Sequence, residues 1–198
     1  MAKLKSTFTN MFLSLSLICL SVALLLAQVN KMTATPIAEA KAMKLKSAIG
    51  EVVPHFDNDP VEDVFLIPDE KGDSLLVYPA TKSGELVGIA ISNSASGFAG
   101  EIQIMVGFDM ENKIVSYEVL EHSETPGLGS KMNEWFKDAE SDNKSIIGKN
   151  MSIGALTLKN DGGNIDGITA STITSRAFLD AINRAYIAYS ESRNNHGN

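Results

Sequence analysis

The chain has 198 residues, 44% of them hydrophobic and 21% charged. It can therefore bury a core and has room for one ordinary domain with an appendage. The chain has 17 Lys and Arg residues and 24 Asp and Glu residues, which give a formal charge of −7. This negative charge disfavours a nucleic-acid-binding module. The single cysteine excludes an intramolecular disulfide framework and a thiolate cluster for zinc or iron–sulfur. Three scattered histidines do not suggest a metal site, so none is predicted.

The N-terminal segment is apolar and carries no charge from residue 8 to residue 29. As a helix this stretch would be about 33 Å long, close to the roughly 30 Å hydrocarbon core of a bilayer. The alternative is a cleaved signal peptide, but its apolar region is shorter, about 7–15 residues, and the cleavage-like Ala38-Glu39-Ala40 lies beyond the run. Lys3 and Lys5 favour a cytoplasmic N-terminus. We predict a cytoplasmic segment 1–7, a transmembrane helix 8–29 in the inner (cytoplasmic) membrane, and a periplasmic or otherwise extracytoplasmic C-terminal domain.

The rest of the chain reads as a stalk followed by a mixed domain. Residues 30–60 are predicted to form a stalk and linker, in which 34–50 resemble an amphipathic helix ending at Gly50. The domain proper is predicted over 61–193, and 194–198 form a polar tail. Short β-like runs separated by turn residues occur at 61–68, 75–79, 86–92, 102–108, 114–120 and 152–158.

Two helices complete the predicted domain. A short one covers 130–136, and the last runs from about residue 172 to residue 193, with Phe178, Ile182, Tyr186 and Tyr189 on one apolar stripe. The predicted fold class is α+β, an antiparallel sheet with packed helices, preceded by one N-terminal transmembrane helix.

Hydroxyl residues cluster where the last helix begins: Thr169, Ser171, Thr172 and Thr174. Helix N-capping explains such residues on composition alone. The same geometry can hold an anion, because the free N–H groups of the first turn and the helix dipole would offset the charge of a phosphate tied to one of these hydroxyls. A P-loop is excluded, since no Gly-Lys-Ser/Thr occurs.

Residues 166–175, Asp-Gly-Ile-Thr-Ala-Ser-Thr-Ile-Thr-Ser, resemble the flavinylation motif Asp-x-x-Ser/Thr-Gly-Ala-Thr of the FMN-binding domain family. That family includes the G subunit of the Rnf electron-transport complex and the C subunit of the sodium-pumping NADH:quinone reductase. The resemblance implies that FMN is joined through its phosphate to Thr172. It also implies that a flavin transferase, with FAD as donor, recognises Asp166 and Thr169. Ala170 stands where glycine is usual and Ser171 where alanine is usual, so Ser171 or Thr174 is the alternative acceptor.

Two further segments match the same family: Ser-Gly-Phe-Ala-Gly at 96–100 and Glu-Thr-Pro-Gly-Leu-Gly at 124–129. Alone, the second would be an ordinary Pro-Gly turn. By resemblance, Phe98 and Leu128 cover the two faces of the isoalloxazine ring, while glycines let the backbone approach its edge. His122 is interpreted as orienting the loop, with proton donation to the flavin as the alternative. The implied cofactor-binding residues are Phe98, Glu124, Thr125, Gly127, Leu128, Gly129, Ser171, Thr172, Ile173 and Thr174.

The resemblance implies an electron-carrier subunit with covalent FMN in an Rnf-type ion-translocating ferredoxin:NAD oxidoreductase. Its partners would be the other membrane, flavin and iron–sulfur subunits of that complex, and the flavin transferase during maturation. No catalytic residue is predicted in the chain itself, and activity outside the complex stays open. The alternatives are the C subunit of the sodium-pumping quinone reductase and an exported scaffold domain without flavin.

Overall fold

The computed structural model describes residues 7–138, 141 and 143–196, with side chains up to residue 192. The chain divides into two compact units, Met1–Met43 and Lys44–Asn198. The predicted cytoplasmic segment 1–7 lies outside the described residues except for Thr7. The predicted tail 194–198 is described only to His196, where the last helix ends.

Helix α1 runs without interruption from Phe8 to Val52 and contains Pro36. Among the described residues it is the one helix long and apolar enough to cross a membrane. Its large apolar side chains between Phe8 and Val29 are exposed, an arrangement that is costly in water but suits lipid. The helix predicted over 34–50 is part of α1, which continues two residues further, to Val52. Ala48, Ile49 and Val52 are buried in the second unit, and this packing stabilises the end of the helix.

The second unit is built on a five-stranded antiparallel meander in the order β1-β2-β3-β4-β5. The strands are β1 (Phe65–Pro68), β2 (Ser74–Lys82), β3 (Glu85–Ser96), β4 (Glu101–Asp109) and β5 (Ile114–Glu121). The predicted antiparallel sheet is therefore confirmed. Ser83 and Gly84 both have positive φ, 54° and 82°, as a two-residue hairpin with the natural strand twist requires.

The first predicted strand is shorter than expected, because residues 61–63 form a turn instead. Asp59 organises that turn: its backbone carbonyl accepts the N–H of Glu62 at 3.0 Å, and its Oδ1 accepts the N–H of Val61 at 3.2 Å.

Both faces of the sheet are covered near its centre. On one face Ile89, Ile91 and Val106 join the main core beneath the last helix. On the other, Ala90 and Met105 pack with Ile49 and Val52 of α1. Gly107 of β4 permits this close approach, since a Cβ there would lie 1.7 Å from the Val52 carbonyl oxygen.

Two α-helices follow the sheet within the described residues: α2 (Met132–Trp135), preceded by a 3-10 turn at Gly129–Lys131, and α3 (Thr172–His196). The Phe178 ring of α3 stacks on Phe136 at 4.6 Å and meets the edge of Tyr117 at 4.8 Å. This cluster fixes α3 against the sheet and α2. The two predicted helices and the α+β fold class are confirmed.

The strand predicted over 152–158 is wrong. These residues form a turn and an extended loop, with one parallel bridge between Leu158 and Ile165. Asn183 of α3 replaces the missing strand partner: its Oδ1 accepts the Leu156 N–H at 2.8 Å, and its Nδ2 donates to the Leu156 carbonyl at 2.9 Å. Ile153, which continues the apolar pattern, is 88% exposed.

Candidate functional site

Three segments that are distant in the sequence meet around one cavity of about 400 Å³. They are the β3–β4 turn with Phe98, the loop after β5, and the N-terminus of α3. Because β4 and β5 are antiparallel and Gln103 pairs with Glu121, the turn before β4 and the loop after β5 lie at the same end of the sheet. The lining residues are Phe98, Glu124, Thr125, Leu128, Gly129, Ala170, Ser171, Thr172, Ile173 and Thr174.

The cavity brings together nine of the ten predicted cofactor-binding residues, and Gly127 is the exception. Gly127 instead shapes the loop: it has φ +75°, and its N–H donates to Ser130 Oγ at 2.9 Å. The sequence motif marks Ala170 only as a departure from the usual glycine, whereas in the structure Ala170 forms part of the cavity wall.

The other hydroxyl groups at the start of α3 differ from that of Thr172 in their surroundings. Thr174 is 1% exposed, and its hydroxyl donates to Glu124 Oε2 at 2.6 Å. The Ser175 hydroxyl is buried, donates to the Ser171 carbonyl and accepts the Ile168 N–H. Ser171 is buried as well. Thr172 is half-buried and lies in the cavity wall, so its side chain is the most accessible of the lining hydroxyls on α3.

The backbone at this corner suits an anion. The N–H groups of Thr172, Ile173 and Thr174 belong to the first turn of α3 and have no acceptor within the helix. The positive end of the helix dipole lies there too. Ala170, in the left-handed region at φ +61°, shapes the turn that leads into α3, and the Ser171 N–H closes it by donating to the Ile168 carbonyl at 3.0 Å.

Three large apolar side chains at the cavity are exposed: Phe98 by 70%, Leu128 by 41% and Ile173 by 51%. Apolar surface of this kind gains free energy, roughly 25 cal/mol per Å², when a ligand covers it. Apolar side chains thus lie beside a helix N-terminus. That combination fits a ligand with a flat apolar ring system and a phosphate, which is the chemistry of a flavin mononucleotide.

A buried carboxylate connects the three segments. Glu124 is 5% exposed; its Oε1 accepts the Ala99 N–H at 3.0 Å and its Oε2 accepts the Thr174 hydroxyl. The Glu124 N–H donates to Nδ1 of His122 at 3.2 Å. This hydrogen bond favours the loop-orienting interpretation of His122.

Asp166 and Thr169 lie outside the lining set. Asp166 forms an ion pair with Lys159, with Nζ and Oδ1 2.7 Å apart, and its carbonyl accepts the Trp135 indole N–H at 2.8 Å. Thr169 is exposed. Both residues are therefore placed on the surface that leads into α3, where another protein can reach them.

Comparisons with known proteins agree on one family. The model of the FMN-binding domain matches residues 97–187. The G subunit of the ion-translocating oxidoreductase complex of Stutzerimonas stutzeri is 34% identical over 87% of this chain and 77% of its own length. The same protein from Photorhabdus laumondii is 35% identical over 81% and 79%, and that from Escherichia coli K12 is 33% identical over 81% of each chain.

Two solved structures are also similar. The C subunit of the Na(+)-translocating NADH-quinone reductase of Parabacteroides distasonis has a TM-score of 0.47 and 21% identity, over 70% of each chain. NqrC of Shewanella oneidensis has a TM-score of 0.46 and 19% identity, over 71% of this chain and 67% of its own. The three G subunits are 33–35% identical to this chain and are matched over 77–81% of their own length, so the chain belongs to the family of G subunits of ion-translocating oxidoreductase complexes and contains an FMN-binding domain.

Proposed function

We propose that this chain is a membrane-anchored electron-carrier subunit of an Rnf-type ion-translocating oxidoreductase complex, and that it holds FMN covalently through a phosphoester to Thr172. The observation that carries the proposal is the meeting of three separate segments at one cavity, with the Thr172 side chain in its wall. The family relatives, named as subunits of such a complex, support the same role and imply other subunits as partners.

The cavity residues divide the work of holding the flavin. FMN, when bound, supplies one- and two-electron transfer. Phe98 and Leu128 would cover its ring faces, and the burial of aromatic and aliphatic surface would supply much of the binding free energy. The first-turn N–H groups of α3 would offset the charge of the phosphate on Thr172. The chain itself therefore binds and orients, and the redox chemistry belongs to the cofactor.

The attachment step assigns Thr172 the role of nucleophile. Its Oγ would form a bond to the flavin-side phosphorus of FAD, the bond from that phosphorus to the bridging oxygen would break, AMP would leave, and the hydroxyl proton would be released. A flavin transferase would catalyse this step. The placement of Asp166 and Thr169 on the surface beside α3 supports their proposed role in recognition by that enzyme.

The membrane anchor in this proposal is the apolar part of α1, residues 8–29, and the support for it is that α1 is long and apolar enough to cross a membrane. The proposed arrangement has a cytoplasmic N-terminus, because Lys3 and Lys5 precede the span, and an extracytoplasmic domain. A covalent bond has a physical purpose there, since a dissociated flavin would be diluted and lost rather than rebound. Cys19, inside the span, is the only cysteine of the chain.

The test is the intact mass of the full chain purified from its native membrane, followed by peptide mapping of residues 166–176. We expect a mass increase equal to one FMN less one water, located on Thr172. Thr172→Ala is expected to abolish the covalent flavin while costing about 1 kcal/mol of stability at most. Thr172→Ser is the matched control, because it restores a hydroxyl at the same position.

Two outcomes would contradict the proposal. A native chain that weighs only what its amino acids weigh would favour an exported scaffold without flavin. A Thr172→Ala chain that stays yellow after denaturation would move the acceptor to another hydroxyl, with Ser171 the first to examine.

A further inference from the structure

We propose that Glu124 is a positioning residue: its carboxylate ties together the three segments of the cavity and thereby sets the separation between Phe98 on one side and Leu128 and Thr172 on the other. It acts through hydrogen bonds and not by exchanging a proton with the cofactor. The expected effect on bound FMN rests on the proposed function. The hydrogen bonds by which Glu124 connects the three segments are a property of the chain itself.

The hydrogen bonds of Glu124 join segments far apart in the sequence. Oε1 accepts the N–H of Ala99, 25 residues earlier, at 3.0 Å. Oε2 accepts the hydroxyl of Thr174, 50 residues later, at 2.6 Å. With 5% of Glu124 exposed, water competes little for either bond, and hydrogen bonds to a charged acceptor are stronger than neutral ones.

Two glycines enclose the same carboxylate. A Cβ at Gly97 would lie 2.3 Å from Oε1, and a Cβ at Gly129 would lie 2.4 Å from Oε2 and 3.0 Å from Thr174 Oγ1. A side chain at either position would displace the carboxylate or the loop. Gly97 and Gly129 therefore leave space for Glu124, which gives Gly129 a role beyond the approach to a ring edge that its motif implies.

Each bonded partner lies close in the sequence to a residue that would touch FMN. Ala99 follows Phe98, Thr174 lies two residues after Thr172, and Glu124 itself begins the loop that carries Leu128. His122 fixes the backbone of Glu124 from the other side. Losing the carboxylate would free the Phe98 turn from the start of α3, so the two sides of the cavity would no longer be held at one separation.

Replacing Glu124 by glutamine distinguishes a positioning role from a role that depends on the negative charge. In Glu124→Gln the amide oxygen can still accept the Ala99 N–H, while the amide NH₂ donates to the Thr174 hydroxyl, which can accept as well as donate. Both connections survive without a charge or a titratable proton. Glu124→Ala removes both connections, and Thr174→Val removes only the one to α3 while nearly preserving side-chain shape.

The first measurement uses the full-length, flavin-free chain in detergent, from a host without the flavin transferase. Hydrogen exchange at the Ala99 amide reports the Oε1 bond. In Glu124→Ala we expect about tenfold faster exchange, as the loss of one hydrogen bond of ordinary strength produces. In Glu124→Gln and Thr174→Val we expect exchange within about twofold of wild type. Unchanged exchange in Glu124→Ala would overturn the proposal.

The second measurement uses the same variants loaded with flavin by a host that has the transferase. The midpoint potential of the bound flavin and its pH dependence are recorded. Glu124→Ala is expected to shift the potential and to raise flavin fluorescence as the ring loosens. Glu124→Gln is expected to restore the wild-type potential and its pH slope.

These outcomes distinguish a failure of the positioning role from a failure of the proposed function. If Glu124→Gln keeps Ala99 protected but loses the covalent flavin or changes the pH slope, charge or a proton is what matters, and the positioning role is wrong. If Glu124→Ala does not fold, the flavin-loaded Thr174→Val chain decides: a shifted midpoint potential there supports the positioning role, because the connection to α3 is lost, and a wild-type potential overturns it. If wild type carries no covalent flavin, the proposed function fails, while the exchange measurement on the flavin-free chain still tests the tie.

Discussion

The backbone at Ala170 has an unusual conformation for a residue with a side chain. Its φ of +61° lies in the left-handed region, which costs an L-residue roughly 1–2 kcal/mol relative to glycine. The strain occurs where the chain enters α3 beside Thr172. Ala170 is also where this chain departs from the glycine usual in the motif, so the turn keeps its shape at the expense of stability.

We expect Ala170→Gly to stabilise the domain by about 0.5–1 kcal/mol, because relief of the left-handed strain exceeds the added flexibility of the unfolded chain. Urea unfolding of the full chain in detergent measures the change, followed by the emission of Trp135, the only tryptophan of the chain. A variant no more stable than wild type would show that Ala170 is not strained.

Gly127→Ala is the reverse of Ala170→Gly, because it adds a side chain at a residue with positive φ. Gly127 has φ +75°, and nothing lies within 4 Å of a Cβ built there. The substitution therefore introduces backbone strain without a steric clash, and we expect a loss of about 1 kcal/mol in the same unfolding experiment. A neutral result would mean that the loop relaxes to another conformation.

The motif pattern predicted which residues gather at the site but not how they are held. Phe98, Leu128 and Thr172 could be chosen because each lies in a short motif. The role of Glu124 could not be predicted, since its partners Ala99 and Thr174 lie 25 and 50 residues away. Nothing in a local sequence pattern encodes such a connection.

At the scale of elements, the turn between β1 and β2 is tied to the middle of α3. Asp69 Oδ2 accepts a hydrogen bond from the Arg184 guanidinium at 2.5 Å, and Asp69 Oδ1 accepts the N–H groups of Lys71 and Asp73. Arg184 also donates to Asp180 at 3.0 Å and to the Ser94 carbonyl. Burial alone would raise the pKa of Asp69, but these hydrogen bonds and the guanidinium charge together hold it below its ordinary value.

The lowered pKa of Asp69 determines the direction in which the stability of the fold changes with pH. The stabilisation is complete above the pKa of the unfolded state, about 3.8, and is lost as the pH falls below that value toward the lower pKa of the folded state. We expect the urea midpoint of wild type to fall steeply below about pH 4, and Asp69→Asn to show a shallower fall from a lower starting point. An unchanged acid profile in Asp69→Asn would remove Asp69 as its cause.

Asp161→Asn is the control for that experiment. Asp161 also has a lowered pKa, because Arg176 donates hydrogen bonds to it, but this pair is exposed to solvent. Exposed ion pairs contribute little to stability. The acid profile of Asp161→Asn is therefore expected to follow wild type, and a change as large as that in Asp69→Asn would point to a general charge effect.

Strands were predicted correctly where the segment with the alternating apolar pattern pairs with a neighbouring strand. The turns at Ser83-Gly84 and 109–112 separated strands that do pair, so the meander followed from local signals. The apolar run at 152–158 carried the same signal but has no strand beside it in the described part of the chain. Asn183 of α3 satisfies its backbone instead, and a partner of that kind leaves no periodic trace.

At the scale of the whole molecule, composition separated an apolar anchor from an acidic domain, since all 24 Asp and Glu residues follow residue 30. It did not reveal that α1 continues to Val52 and ends against the sheet. The length of α1 beyond the membrane span depends on the tertiary packing of Ile49 and Val52. The local sequence does not predict this length, because Pro36 disfavours a continuous helix.

The orientation of the anchor is testable with single cysteines, because Cys19 is the only native one. In a Cys19→Ser background, Ile153→Cys places a thiol at a position that is 88% exposed in the domain, and Ala2→Cys marks the N-terminus. With an extracytoplasmic domain, a membrane-impermeant maleimide should label Ile153→Cys in intact spheroplasts and Ala2→Cys only after lysis. Labelling of Ile153→Cys only after lysis would place the domain in the cytoplasm. A mature chain of Ala2→Cys without label even after lysis would mean that the N-terminal segment is cleaved, since a retained span keeps residue 2 on the same polypeptide as the domain.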